Sequence, residues 1–184
     1  MKRLLALMIL LVFLTGCGPR APTTPVHPVE SCVLVYDMSG GHGSGAIVGV
    51  NLVLTAKHVA VHPDLMVKTN SGEEYVVERV IEDPDSDAAL LVIKGEFDEI
   101  PLKVCITPLQ VGDEVLLIGT PYKRTNFNCE LPGTVVKVDM ECDYGMGLTT
   151  NLDVNCAHGG PGCSGGPLMH DGMIAGIEVA GQDM

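Results

Sequence analysis

Eleven short apolar runs, each closed by a turn signal, constrain this chain more than any other feature. The candidate strands of a first set are Cys32–Tyr36, Ala46–Val50, Leu52–Thr55, Leu65–Thr69, Tyr75–Ile81 and Ala89–Lys94. A second set comprises Glu114–Ile118, Gly133–Asp139, Leu148–Asp153, Pro167–Met169 and Met173–Val179. Turns fall at Ser39-Gly40-Gly41, Asn70-Ser71-Gly72, Asp83-Pro84-Asp85 and Asp171-Gly172. No long segment repeats every 3.6 residues, and the best helical candidate is a single turn around Ala56–Val61. Short β-branched runs at this spacing predict an all-β barrel or sandwich. The stretch from Glu96 to Gln110, with Pro101 and Pro108, divides the runs into two halves, about 32–98 and about 108–184. A chain of 184 residues has room for two such lobes, and with 4% aromatics and no Trp their cores must rest on Val, Leu, Ile and Met.

The N-terminus reads differently. Met1-Lys2-Arg3 is a short basic region, and the apolar run Leu4 to Leu14 is too short to span a membrane as a helix. Together they fit a secretory signal over residues 1–16. The run ends in Leu14-Thr15-Gly16-Cys17, which resembles a bacterial lipobox with the Cys17 thiol as acylation point. Lipid on Cys17 would hold the protein to a membrane through acyl chains. Residues 17–31, with Pro19, Pro22, Pro25 and Pro28, are expected to form a semi-extended tether, and residues 32–184 the folded domain. The expected location is the bacterial cell envelope, at the outer membrane or facing the periplasm if the cell is Gram-negative.

Charge narrows the partners. Lys and Arg number 11 against 23 Asp and Glu; losing Lys2 and Arg3 with the signal leaves 9 against 23, a balance of −14. Nucleic acid is therefore excluded as a partner, because phosphate binding needs a basic footprint. Six cysteines follow Cys17, at positions 32, 105, 129, 142, 156 and 163. In an oxidising compartment they could form up to three disulfides, in any of fifteen connectivities.

Three segments carry chemistry. Gly162-Cys163-Ser164-Gly165-Gly166-Pro167 places a hydroxyl in a glycine-rich turn whose amides can face a developing oxyanion. Leu54-Thr55-Ala56-Lys57-His58-Val59 places a histidine just after a strong strand, the rigid placement a general base needs. In Asp83-Pro84-Asp85-Ser86-Asp87-Ala88-Ala89-Leu90-Leu91, Asp87 stands at the entry to an apolar strand, where a carboxylate can hold an imidazole N–H. Asp83 and Asp85 read as a solvated turn.

These segments, in the order His, Asp, Ser, resemble the histidine, aspartate and serine motifs of the trypsin-like, chymotrypsin-fold serine peptidases. "GSGAIV", "VGDEVLLIGTP", "GTVVKVD" and "GGPLMHDGMIAGI" are similar to the bacterial HtrA-type branch, and the resemblance spans most of Ser44 to Gly181. It implies two Greek-key β-barrels with the active site in the cleft between them. Ser164 would be the nucleophile, His58 the base and then acid, Asp87 the orienter, and the Gly162 and Ser164 N–H groups the oxyanion hole. It also implies peptide-bond hydrolysis of protein or peptide substrates, without metal or organic cofactor. By alignment to the family, His158 falls near the base of the primary pocket and Glu178 on its wall. There Glu178 would attract a basic side chain and His158 an acidic one.

The chain departs from the family in two places. Cys163 occupies the position where animal digestive relatives carry Asp, so activation by pairing with a new N-terminal amine is not expected. Only twenty residues follow Ser164, so the second barrel is expected to lack its last strand, and no PDZ module follows. Three further readings stand beside the peptidase. A protease-like binding or structural lipoprotein would be catalytically weak or inactive; Cys163 would be a rival nucleophile; His58 and His62 would be a metal pair.

Overall fold

The computed structural model describes residues 27–143, 148–156 and 159–179. Residues 1–16, Cys17 and most of the expected tether, as well as His158, lie outside them. Eleven strands are present among the described residues. The first six are β1 (Cys32–Tyr36), β2 (His42–Gly49), β3 (Leu52–Ala56), β4 (Met66–Lys68), β5 (Glu74–Glu82) and β6 (Ala88–Ile93). They close an antiparallel barrel in the order β1-β2-β3-β6-β5-β4, with β4 pairing back onto β1. The other five are β7 (Glu114–Gly119), β8 (Cys129–Asp143), β9 (Leu148–Cys156), β10 (Pro167–His170) and β11 (Met173–Ile177). They form a sheet in the order β11-β10-β7-β8-β9. The architecture is thus all-β in two halves, of the chymotrypsin double-barrel type, and the second half is an open five-stranded sheet among the described residues.

The strand pattern follows burial. β6 alternates half-buried and buried residues, sending Ala89, Leu91 and Ile93 inward against Val33, Val35, Ile47, Val53 and Val67. The second core gathers Leu109, Val115, Leu117, Leu131, Val135, Cys163 and Leu168. A third cluster of Cys32, Ala46, Ile118, Met169 and Ile174 lies where the halves meet, so their contact is apolar and continuous with both cores. Such a contact favours one fixed arrangement of the two halves over free hinging.

The structure departs from the sequence expectation at several points, among them β2, which begins at His42 rather than Ala46. β8 begins four residues early and runs through Pro132, which lacks an N–H to donate. The ladder tolerates it because β9 ends at Cys156, opposite Gly133, so Pro132 lies past the end of β9 and pairs only toward Leu116 on β7. The end of the expected tether is also not extended. Pro28–Ser31 forms a 3₁₀ turn, Val29 packs on the cluster between the halves, and the buried Ser31 hydroxyl donates to Ile100 O at 2.7 Å.

Candidate active site

Strand register brings the first two functional side chains together. β3 and β6 pair through Ala56 opposite Ala88, so the residue following one and the residue preceding the other must be neighbours. Lys57–Val59 turns as a single 3₁₀ element, and Lys57 N–H donates to Asp87 O at 3.0 Å. Asp87 is buried, and both of its carboxylate oxygens are engaged by His58. The His58 backbone N–H donates to Oδ1 at 3.0 Å, and ring Nδ1 lies 2.6 Å from Oδ2. An ionised carboxylate only accepts, so the proton belongs on Nδ1 and Nε2 keeps its lone pair. The His58 side chain is 34% exposed and can therefore meet a solvent-borne group. Asp83, by contrast, accepts from Asp85 N–H and the Ser86 hydroxyl in an exposed turn, as its sequence context suggested.

The serine turn is held by its own backbone and by the first barrel. Gly162 and Gly165 have φ of +98° and +82°, the left-handed region that side-chain-bearing residues avoid. Space reinforces the choice: a Cβ on Gly162 would strike His42 Nε2 and Thr120 O, and one on Gly165 would strike Thr55 Oγ1 and Ser44 O. Ser164 and the histidine turn meet across Gly43. A Cβ there would lie 2.7 Å from the Val59 side chain and 2.8 Å from Ser164 O.

Ser44, on β2, is the connecting residue. Its N–H donates to Ser164 O at 2.7 Å and its carbonyl accepts from the Thr55 hydroxyl at 2.7 Å. Its buried hydroxyl donates to Gly162 O at 2.8 Å and accepts from Thr120 N–H at 2.9 Å. Tyr122 braces the other side of the turn. Its N–H donates to Pro161 O at 2.6 Å and its hydroxyl to Gly159 O at 3.3 Å, with the ring against Gly160. Because the peptide bond is trans and planar, a Pro161 carbonyl fixed toward Tyr122 turns the Gly162 N–H the opposite way. Neither the Gly162 nor the Ser164 N–H is bound to an acceptor among the described residues.

The remaining candidates separate clearly. Cys163 is fully buried in the second core, and burial pushes its thiol up to about 11. A thiolate is the reactive form, so Cys163 is packing rather than a rival nucleophile. Cys32, Cys105, Cys129 and Cys163 are free thiols in this structure, without the disulfides the composition suggested. His62 Nε2 lies 3.6 Å from Asp37 Oδ2, while the His58 ring is committed to Asp87; the two histidines do not act as a pair. Glu178 directly follows β11 and pairs its backbone with the serine turn: its N–H donates to Gly166 O at 2.9 Å, and its carbonyl accepts from Gly165 N–H at 2.7 Å. Its carboxyl is pushed up to about 7 by burial. Ser44 and Tyr122 were not singled out from the sequence. The signals available were a serine between two glycines just before the histidine strand, and a Pro-Tyr pair just after β7.

A family model described as a trypsin-like peptidase domain matches residues 43–177. A Marinomonas protein described as a probable periplasmic serine endoprotease, DegP-like, is 34% identical over 144 residues, covering 73% of this chain and 29% of its own length. One from Pseudomonas fulva with the same description is 32% identical over 144 residues, covering 73% of this chain and 28% of its own length. The chain thus spans under a third of the length of these relatives. Among solved structures, the MamO protease domain from Magnetospirillum magneticum superposes with a TM-score of 0.69 at 26% identity, covering 84% of this chain and 87% of that one. The active form of the Rv3671c protease from M. tuberculosis gives a TM-score of 0.69 at 20% identity, covering 90% and 84%. That last likeness concerns the fold alone.

Two outcomes follow from this geometry. Ser44→Ala strands the buried Thr120 N–H and Gly162 O and should destabilise the protein by about 1–3 kcal/mol, read from urea denaturation. Glu178 binds its proton more tightly folded, at about 7, than unfolded, near 4.5, so its contribution to stability is full below pH 4.5 and is lost as pH rises through about 7. Glu178→Gln should therefore match the parent at the acid end and become the more stable protein toward pH 7, in paired denaturation curves.

Proposed function

Since the chain belongs to the trypsin-like peptidase family, we propose that it is a serine endopeptidase of the cell envelope, cleaving protein or peptide substrates through a His58-Asp87-Ser164 triad. The observation that carries this reading is the clamp of both Asp87 carboxylate oxygens on His58, which orients the ring and fixes its tautomer. His58 Nε2 takes the proton of Ser164 as Oγ attacks the scissile carbonyl. Asp87 stabilises the imidazolium so formed, and the Gly162 and Ser164 N–H groups receive the oxyanion. His58 then returns the proton to the leaving amine, and water repeats the cycle on the acyl-enzyme. The unengaged state of those two amides supports the assignment, as does the Tyr122 bond that turns the Pro161–Gly162 peptide. General base and oxyanion contributions are each worth roughly 10²–10⁴-fold.

The periplasmic description of the DegP-like relatives supports the envelope location, and the Leu14-Thr15-Gly16-Cys17 segment supports a lipid anchor on Cys17. On this reading Cys17→Ser abolishes incorporation of radiolabelled palmitate and moves the protein from the membrane pellet to the soluble fraction; retention of label would rule the anchor out.

A fluorophosphonate probe tests the chemistry. The folded protein should label on Ser164, Ser164→Ala should not label, and Asp87→Asn should label roughly 10²–10⁴-fold more slowly. If the parent protein fails to label while remaining folded, the protease-like binding lipoprotein becomes the better account.

A further inference from the structure

Gly162 is the residue of the serine turn with the least of its own to hold it in place. It has no side chain, and its φ of +98° is one of many values open to glycine. Its N–H is nevertheless one of the two assigned to the oxyanion, so something else must keep it oriented. Tyr122 N–H fixes the carbonyl before it and the Ser44 hydroxyl fixes its own. The space beside its Cα is taken by His42, a half-buried residue with no part in the proposed chemistry. A Cβ on Gly162 would strike His42 Nε2 and Thr120 O and lie 3.1 Å from His42 Cδ2. The imidazole thus stands where a side chain of Gly162 would be.

His42 opens β2, two residues before Ser44, and residues two apart on a strand project from one face. The pair grips Thr120 from both ends. Thr120 N–H donates to Ser44 Oγ at 2.9 Å, and Thr120 O lies 3.1 Å from His42 Nε2. A carbonyl only accepts, so Nε2 carries the proton and donates it to a residue that is fully buried. The backbone behind the ring is pinned as well. The Gly41 carbonyl, in the peptide that leads into His42, accepts from Asp37 N–H at 3.1 Å and from Arg124 Nη2 at 2.6 Å. Resting on the peptidase reading, we infer that His42 is a positioning residue for the oxyanion hole: its ring, held by Thr120 O, confines Gly162 so that the Gly162 N–H faces the attacked carbonyl. Displacing Gly162 toward the ring would break the bond to Thr120 O, and removing the ring opens a space into which a residue without a side chain can turn. The loss falls on the transition state, because the oxyanion exists only there.

The test follows hydrolysis of a quenched fluorescent peptide built on a site that the parent protein cuts in unfolded casein. In His42→Ala, kcat should fall about 10–10²-fold while KM stays within about twofold of the parent. His42→Gln, whose amide N–H reaches Thr120 O, should recover kcat to within about threefold of the parent. His42→Asn, one methylene shorter, should stay as slow as His42→Ala; the Gln and Asn pair carries the comparison by itself if His42→Ala does not fold. A folded His42→Ala with kcat unchanged, a loss confined to KM, or His42→Gln and His42→Asn equal in kcat overturns the role of His42 and leaves the triad standing. A folded parent that neither cuts casein nor labels with fluorophosphonate overturns the peptidase reading, and the role of His42 with it.

Discussion

The hydroxyl of Ser44 holds the two halves of this molecule in working register. It bonds Gly162 in the serine turn and Thr120 at the exit of β7, residues 118 and 76 positions away in the chain. The Ser44 backbone adds one bond to Ser164 itself and another to Thr55 on the histidine strand. A single buried residue therefore touches the strand that leads into the His58 turn and the turn that presents Ser164. Each such bond contributes only about 1 kcal/mol, but an unmade one leaves a stranded buried group, so the arrangement discriminates strongly against small displacements. The neighbouring glycines follow from this closeness. Where two backbones approach as closely as at Gly165, no side chain fits, whatever local turn preferences allow.

The two carboxylates nearest the serine are treated in opposite ways. The buried Asp87 carboxylate has the His58 ring nitrogen and main-chain N–H on its two oxygens, so its desolvation is offset within the protein. Glu178 is desolvated with no donor among the described residues, and burial pushes its carboxyl up to about 7.

Much of this was legible in the chain because it depends on local periodicity. Each strand announced itself by an alternating or continuous run of aliphatics, and His58 and Asp87 stood at strand ends where register alone would join them. The less legible parts depend on distant approach. β2 begins at His42, before its apolar run, because Gly43 and Gly45 are narrow enough to lie against Val59 and Val53. β8 passes through Pro132, which no local rule would place in a ladder until the end of β9 is known. Tyr122 works partly through a backbone N–H and a positive φ of 63°, neither of which leaves a mark on side-chain pattern. Ser31 closes the expected semi-extended tether, and only the carbonyl of Ile100, 69 residues on, makes it a buried anchor.

Cys163 shows how the serine turn is stabilised without charge. Its side chain is part of the second core, beside Leu117, Leu131 and Leu168, and its sulfur fills the space over Gly119. Its N–H donates to Gly160 O and its carbonyl accepts from Gly166 N–H, so the turn is closed by main-chain bonds on either side of Ser164. An ion pair at this point would add a coulombic lock that could be made or broken by a distant amine. A buried neutral thiol offers no such handle, so the conformation of the turn depends on packing of the second sheet and on the Ser44 and Tyr122 bonds. The orientation of the Gly162 and Ser164 amides is then set by folding itself, because the same core that closes the sheet also seats Cys163, directly before Ser164.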